Sequence, residues 1–202
     1  MGRLGARPTG GSLHRVAGDP RSESAPTSAS EHARDPSPRC HRPPVVDHDV
    51  RVEARRPALE EARAIAGVWL RSRAASVPAI PEPVHTDDEV RSYFDVVVAT
   101  KDVWVIDERG GIAALLVLDG EWIDHLYVDP DHFGKGLGSS LIAVAKRERS
   151  AGLKLWTFEA NSRARRFYER HGFVVTGATN GENEEGAADV RYEWRPCASG
   201  DN

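Results

Sequence analysis

The chain has 202 residues, of which 40% are hydrophobic, and its formal net charge at pH 7 is −4. Domains typically hold roughly 100–200 residues, so we expect one domain with an additional segment. No run approaches the about 18 apolar residues of a membrane helix, which argues against a membrane protein. Residues 1–44 carry seven arginines and four acidic residues, which leaves a net charge of −7 on the remainder. This acidic body disfavours nucleic acid as a partner and mildly favours a cationic substrate.

Residues 1–48 are rich in Gly, Pro, Ser, Ala and Arg and hold few large apolar side chains. Such a segment buries too little apolar surface to offset its ordering entropy, so we expect a disordered N-terminal tail. It lacks the apolar stretch of a secretory signal, and its four acidic residues and its Pro and Gly content disfavour the amphipathic helix of a transit peptide. A start site assigned too far upstream would have the same composition. The domain is predicted to cover residues 49–196, and residues 197–202 are predicted to form a short C-terminal tail.

The domain is predicted to begin with one strand and two helices. Val50 and Val52 alternate as in a short strand, and the segment after Pro57 carries apolar residues at helical spacing. Thr86 followed by Glu89 is a capping box that opens the second helix. A proline-rich loop joins the two helices.

Strands at residues 103–106, 112–118 and 122–128 are separated by short turns, which indicates an antiparallel meander. The elements predicted after it are a helix carrying Leu137, Leu141 and Val144, a strand at 153–158, a helix at 162–171, and strands at 173–176 and 188–194. This order predicts an α/β (α+β) fold with a mixed, mostly antiparallel central sheet flanked by helices.

The most informative segment is Gly134-Lys-Gly-Leu-Gly-Ser139, between a strand and a helix. Alternate glycines let the backbone present consecutive N–H groups, and the following helix adds its own unsatisfied N–H groups, so the segment suits a phosphate or pyrophosphate. The Walker pattern is absent, and the GxGxG spacing differs from the GxGxxG of dinucleotide-binding folds. A tight turn that uses glycine only for packing is the alternative interpretation.

This loop and a second segment together resemble the GNAT N-acetyltransferase superfamily. The family's pyrophosphate signature corresponds to residues 133–138, and its later motif corresponds to Asn161, Ala164 and Tyr168, followed by Gly-Phe. The resemblance extends over about residues 50–195. It implies the fold predicted above and acetyl-CoA as the cosubstrate.

The resemblance also implies a cofactor-binding site. It places the pantetheine arm beside the strand that ends at Leu126, Tyr127 and Val128, where a backbone N–H, expected at Leu126, polarises the acetyl carbonyl. It assigns a pantetheine hydrogen bond to Asn161, which also suits a helix N-cap. The pyrophosphate is expected on Phe133, Gly134, Lys135, Gly136, Leu137, Gly138 and Ser139.

Phe133 stands where the family usually has Gln or Arg. We expect a side-chain contact to be lost there, with the backbone N–H groups retained and Lys135 supplying positive charge.

Tyr168 is the predicted general acid, because a phenol of pKa about 10 protonates a thiolate without being ionised at neutral pH. Packing beside Phe167 is the alternative role. Asp124 is the first candidate for the base and Glu159 the second, and a structural hydrogen bond is the alternative for either. Asp124 and His125 are expected on opposite faces of their strand, with Asp124 on the face of Leu126 and His125 in the core.

The resemblance, together with these residues, predicts a cytoplasmic N-acetyltransferase that moves an acetyl group from acetyl-CoA to a primary amine of a small molecule or peptide by direct attack. No metal is expected, and Cys40 and Cys197 form neither a disulfide framework nor a metal site. The alternatives are an acyl-CoA-binding sensor without turnover and an acetyltransferase of protein or peptide N-termini. Homodimers are common in the family, and the sequence is compatible with one.

We predict that residues 1–48 are dispensable, because they lack the apolar side chains needed to join the core. A chain that begins at Asp49 should keep the melting temperature and the acetyl-CoA affinity of the full chain. Thermal unfolding and calorimetric titration measure both quantities. A loss of several degrees, or of the binding, would contradict the prediction.

Overall fold

The computed structural model describes residues 53–78 and 80–196 and confirms the predicted α/β fold. Three predicted features lie outside these residues: the two tails, the start of the first strand at Val50 and Val52, and both cysteines. The helices are α1 (Ala62–Ala74), α2 (Asp87–Thr100), α3 (Leu137–Glu148) and α4 (Ser162–Arg170). The strands are β1 (Ala54–Arg55), β2 (Asp102–Glu108), β3 (Gly111–Asp119), β4 (Trp122–Val128), β5 (Leu153–Phe158), β6 (Val174–Thr179) and β7 (Asp189–Trp194).

The seven strands form one sheet in the order β1-β2-β3-β4-β5-β7-β6. Strands β4 and β5 are parallel, and the other neighbouring pairs are antiparallel. The predicted meander is β2, β3 and β4. The sheet is therefore mixed and mostly antiparallel, as the sequence predicts.

The predicted capping box fixes the start of α2. The Thr86 N–H donates to the Glu89 carboxylate at 2.8 Å, and the Glu89 N–H donates to the Thr86 hydroxyl at 3.4 Å. Acidic residues in the first turn complement the helix dipole. None of the helices in the described residues is long and apolar enough to cross a membrane.

Helices cover both faces of the sheet and create two core clusters. Helices α1 and α2 pack on one face, through side chains such as Trp69 and Phe94. Helix α3 packs on the other face, through Leu137 and Leu141, together with Tyr168 from α4. Because β3 is covered on both faces, its residues 113–118 form a continuous buried run.

A β-bulge in β4 changes the direction of the side chains that follow it. Leu118 pairs with Ile123 and Val117 pairs with His125, so β4 contains one extra residue at Asp124. An extra residue interrupts the alternation of side chains along a strand. The bulge thus decides which side chains of β4 point to α1 and α2.

The prediction that Asp124 and His125 point to opposite faces is wrong. The Tyr93 hydroxyl lies 3.4 Å from a carboxylate oxygen of Asp124 and 3.0 Å from Nε2 of His125, so both side chains point toward α2. Leu126, predicted to share a face with Asp124, packs against the other core cluster. The bulge is the physical reason for both differences. His125 is buried in the core, as the sequence predicts.

Candidate active site

The parallel strands β4 and β5 pair over a short length and then diverge. Within the described sheet they pair at one position, Trp122 with Lys154, where the Lys154 N–H donates to the Glu121 carbonyl at 2.9 Å. Beyond that position a cavity of about 750 Å³ lies between the two strands and the helices beside them. Residues from α1, β4, the glycine loop, β5, α4 and the start of β7 line it.

The backbone of β4 directs N–H groups into this gap. The Asp129 N–H donates to the Ala113 carbonyl of β3 at 2.8 Å. Alternate residues of a strand direct their N–H groups to the same side. Tyr127 therefore also directs its N–H toward β3, and the N–H groups of Leu126 and Val128 face β5. A ligand that runs along β4 therefore meets N–H donors at Leu126 and Val128, which are the positions that suit an acetyl carbonyl and a pantetheine amide.

The glycine loop presents the amino terminus of α3 to the same cavity. Gly136 has φ +83°, a backbone conformation that favours glycine, and α3 begins at the next residue. Within the described residues no side chain caps this helix, so its first N–H groups stay available to an anion. A Cβ at Gly138 would lie 3.2 Å from the Phe167 ring, because α3 and α4 approach closely there. Six loop residues line the cavity: Phe133, Gly134, Gly136, Leu137, Gly138 and Ser139.

Lys135, expected to supply positive charge, is exposed and is not among the residues that line the cavity. Arg163 of α4 lines it instead, and its guanidinium carbon lies 3.9 Å from the centroid of the Phe133 ring. Stacking on an aromatic face leaves the in-plane N–H groups of a guanidinium available to a phosphate. The aromatic residue at the variable position of the family motif thus holds an arginine that comes from another element.

Asn161 and Tyr168 reach the cavity from the two ends of the α4 segment. The Ala164 N–H donates to the Asn161 Oδ1 at 3.0 Å, so Asn161 caps α4 and keeps its amide N–H group for a ligand. Tyr168 is 8% exposed, and burial raises the pKa of its hydroxyl above the usual value. Tyr168 is therefore protonated over the whole physiological range and can donate a proton.

The two candidate bases differ in position. Asp124 lines the cavity, but the Lys101 ammonium donates to its carboxylate at 2.6 Å, and Lys101 also lies 3.2 Å from Asp119. This ammonium competes with any other cation for Asp124. Glu159 follows Phe158, the last residue of β5; it is exposed and is not among the cavity-lining residues.

Besides Arg163, sequence reasoning missed two buried charged residues that line the cavity, Arg73 and Asp189. Arg73 of α1 is 1% exposed, lies over the ring of Phe158 and pairs with Glu185 at 3.1 Å. Asp189 opens β7 and is 5% exposed. The sequence signal that could have found both residues is a charged side chain within a predicted apolar element. Arg73 lies on the buried face of its helix, and Asp189 lies at the start of an alternating strand.

Comparisons with known proteins agree with this geometry. A family model described as an acetyltransferase (GNAT) domain matches residues 95–175. The chain belongs to the GNAT family and is an acetyl-CoA-dependent N-acetyltransferase.

Its relatives include the peptidyl-lysine N-acetyltransferase YjaB of Escherichia coli, which is 31% identical over 129 residues that cover 62% of this chain and 84% of YjaB. YjaB of Salmonella typhimurium is 30% identical over 128 residues, with 62% and 86% covered. The solution structure of apo-form YjaB from E. coli matches with a TM-score of 0.58 at 25% identity, over 70% of this chain and 95% of that one. An N-acetyltransferase from Staphylococcus aureus shares the fold, with a TM-score of 0.53, 20% identity, and 71% and 97% covered.

We predict an acid-sensitive contribution of His125 to stability. Full burial lowers its pKa from 6.5 to about 4; the charges of Lys101 and Arg73 act in the same direction, and that of Asp124 opposes them. Between these two pH values the unfolded chain binds a proton that the folded chain does not bind. The free energy of unfolding should therefore fall by roughly 3 kcal/mol as the pH drops from 6.5 to 4.

Urea unfolding at a series of pH values measures this dependence. In His125→Gln the slope between pH 6.5 and 4 should be shallower than in the wild type. Equal slopes would show that His125 is not the group responsible.

Proposed function

We propose that the chain acetylates a primary amine of a peptide or small molecule by direct attack of the amine on the acetyl thioester. The observation that carries this proposal is one cavity that joins the glycine loop, the gap-facing N–H of Leu126 and the buried phenol of Tyr168. These are a phosphate site, a donor for the carbonyl oxygen and an acid for the departing thiolate.

The two sides of the gap differ in the charge they offer. Arg163 and the amino terminus of α3 favour the phosphates of acetyl-CoA beside the glycine loop. Asp189, a buried carboxylate that lines the cavity, favours a cation as the second substrate, whereas Asp119 and Asp124, which also line it, are paired with Lys101. An amine that is protonated in solution has this charge.

A lysine side chain on a peptide is the acceptor we favour. The support comes from the YjaB relatives, which are named as peptidyl-lysine N-acetyltransferases. A lysine ammonium on a four-carbon stem is long enough to reach into a cleft while its peptide stays outside. The acidic body of the chain supports a basic peptide in the same way.

Thioester cleavage with a panel of acceptors tests the proposal. Acetyl-CoA is offered with lysine-containing peptides, peptides with a free N-terminus and blocked lysine, polyamines, amino acids and aminoglycosides, and free thiol is measured. Turnover with the lysine peptides and loss of turnover on blocking the ε-amine are expected. Acetyl-CoA binding without cleavage for every amine would favour the sensor, and cleavage that needs the free N-terminus would favour the N-terminal acetyltransferase.

We predict that Tyr168→Phe lowers kcat by roughly 10²–10⁴-fold, the range of general acid catalysis, because only the hydroxyl is removed. The affinity for acetyl-CoA should be unchanged, since the ring keeps its packing. Tyr192→Phe is the matched control: its ring packs 6.2 Å from that of Tyr168, and it is not among the cavity-lining residues. If Tyr168→Phe kept full turnover while chemistry limits the rate, Tyr168 would be a packing residue.

We also predict that Arg163 binds a phosphate of acetyl-CoA and that Phe133 holds it in place. Arg163→Gln should weaken acetyl-CoA binding roughly 10-fold to 100-fold, the worth of a charge-assisted hydrogen bond of about 1.5–3 kcal/mol. Phe133→Leu should weaken binding in the wild-type background and have little further effect in Arg163→Gln.

Calorimetric titration measures each affinity, and Arg166→Gln is the control, because Arg166 is exposed on the same helix. S-acetylpantetheine, which lacks the nucleotide phosphates, should bind the wild type and Arg163→Gln equally. A similar loss for both ligands would contradict the assignment.

A further inference from the structure

We propose that Asp189 binds the ammonium group of the acceptor and takes its proton before acetyl transfer. The inference rests on the proposed function and narrows its substrate class to primary amines that arrive as cations. It also places the general base on β7, a strand that lies outside both of the sequence segments that resemble the family.

Asp189 lies at the carboxyl end of the parted strand β5. It pairs in register with Phe158, the last residue of β5, and lines the cavity while being 5% exposed. Arg73 of α1 lies at the same end of β5, with its guanidinium carbon 5.4 Å from the centroid of the Phe158 ring. Asp189 is thus on the α1 side of the gap, away from the loop that suits the phosphates.

A loop holds the Asp189 carboxylate in a fixed position. The Asn183 Nδ2 group donates to Asp189 Oδ2 at 2.5 Å and to the Ala187 carbonyl at 2.6 Å. The Ala187 N–H donates back to Asn183 Oδ1 at 3.1 Å. Because Asn183 is itself held at both ends of its amide, it orients the carboxylate.

The other carboxylates nearby already have cationic partners. Lys101 pairs with Asp119 and Asp124, and Arg73 pairs with Glu185. Among the described residues, no Lys, Arg or His lies within ion-pair distance of Asp189. Since a buried charge without a partner is destabilising, an ammonium in the cavity would gain most at Asp189.

The surroundings of Asp189 also suit proton acceptance. Burial raises the pKa of its carboxyl above the usual value, and the hydrogen bond from Asn183 opposes the rise. The charged group close enough to interact with Asp189 is Glu185, and Glu185 is itself paired with Arg73. A carboxylate with a raised pKa accepts a proton more readily than a surface one.

The proton balance of the whole reaction closes with these groups. Asp189 takes one proton from the acceptor ammonium, and the neutral amine forms the new C–N bond to the acetyl carbonyl carbon. The C–S bond breaks, Tyr168 gives its proton to the thiolate, and Tyr168 recovers a proton from the second N–H of the acceptor nitrogen through solvent. Asp189 then releases its proton to water, so the reaction yields the amide, CoA thiol and one proton.

The test compares Asp189→Asn with the wild type on two acceptors at pH 7. One acceptor is a lysine peptide or alkylamine, and the other is a fluorinated ethylamine that is neutral at this pH. Asp189→Asn should lower kcat/KM for the basic amine by roughly 10²–10⁴-fold, and the loss for the neutral amine should be smaller by about tenfold or more. Asp95→Asn, an exposed carboxylate on α2, is the control and should keep both rates.

Two further measurements separate this role from a structural one. The acetyl-CoA affinity of Asp189→Asn should match that of the wild type, and its melting temperature should be equal or higher, since the substitution keeps the shape of the side chain and removes a buried charge. In Asn183→Ala the acidic limb of the kcat/KM profile should move to higher pH, because the hydrogen bond that favours the charged carboxylate is lost. Unchanged activity of Asp189→Asn, or an equal loss on both amines, would overturn the proposal; a wild type that cleaves acetyl-CoA with no amine would instead overturn the proposed function.

Discussion

The parting of β4 from β5 is the constraint on which the rest of this structure depends. A sheet interior normally satisfies every backbone N–H and C=O with the neighbouring strand. Here the two central strands pair at Trp122 and Lys154 and then separate, so the N–H groups of Leu126 and Val128 face an open cavity. An extended ligand with its own amides restores the missing hydrogen bonds. In the function we propose, the break in the sheet contributes to acetyl-CoA binding and aligns the thioester.

The bulge at Asp124 couples this gap to the packing of α2. One extra residue in β4 shifts the backbone alternation, so that Leu126 turns its N–H toward the gap. The same shift turns Asp124 and His125 together toward Tyr93. Lys101 then neutralises Asp124 at 2.6 Å. The bulge that turns the Leu126 N–H toward the gap thus also places Asp124 in an ion pair with Lys101, and we propose that the acceptor amine binds at Asp189 instead.

The separation of charge within the cavity follows from the different elements that line it. The phosphate side is built from the amino terminus of α3 and from an arginine stacked on Phe133. The acceptor side is built from α1 and from the loop before β7, whose buried pair, Arg73 and Glu185, ties the two together. The charges on the two sides of the cavity thus come from elements far apart in sequence.

The sequence by itself determined the order of the elements, the capping box of α2, the glycine loop and the placement of Asn161 and Tyr168 on one helical segment. Each of these depends on residues close together in the chain, such as Gly136, whose φ of +83° suits glycine, or Thr86 with Glu89. The tertiary structure alone decided the bulge at Asp124, the pairing of Asp124 with Lys101, the exposure of Lys135 and Glu159, and the arrival of Arg163 and Asp189 at the cavity. The physical reason is that register and ion pairing depend on which distant strand or helix lies opposite, and local spacing carries no information about that.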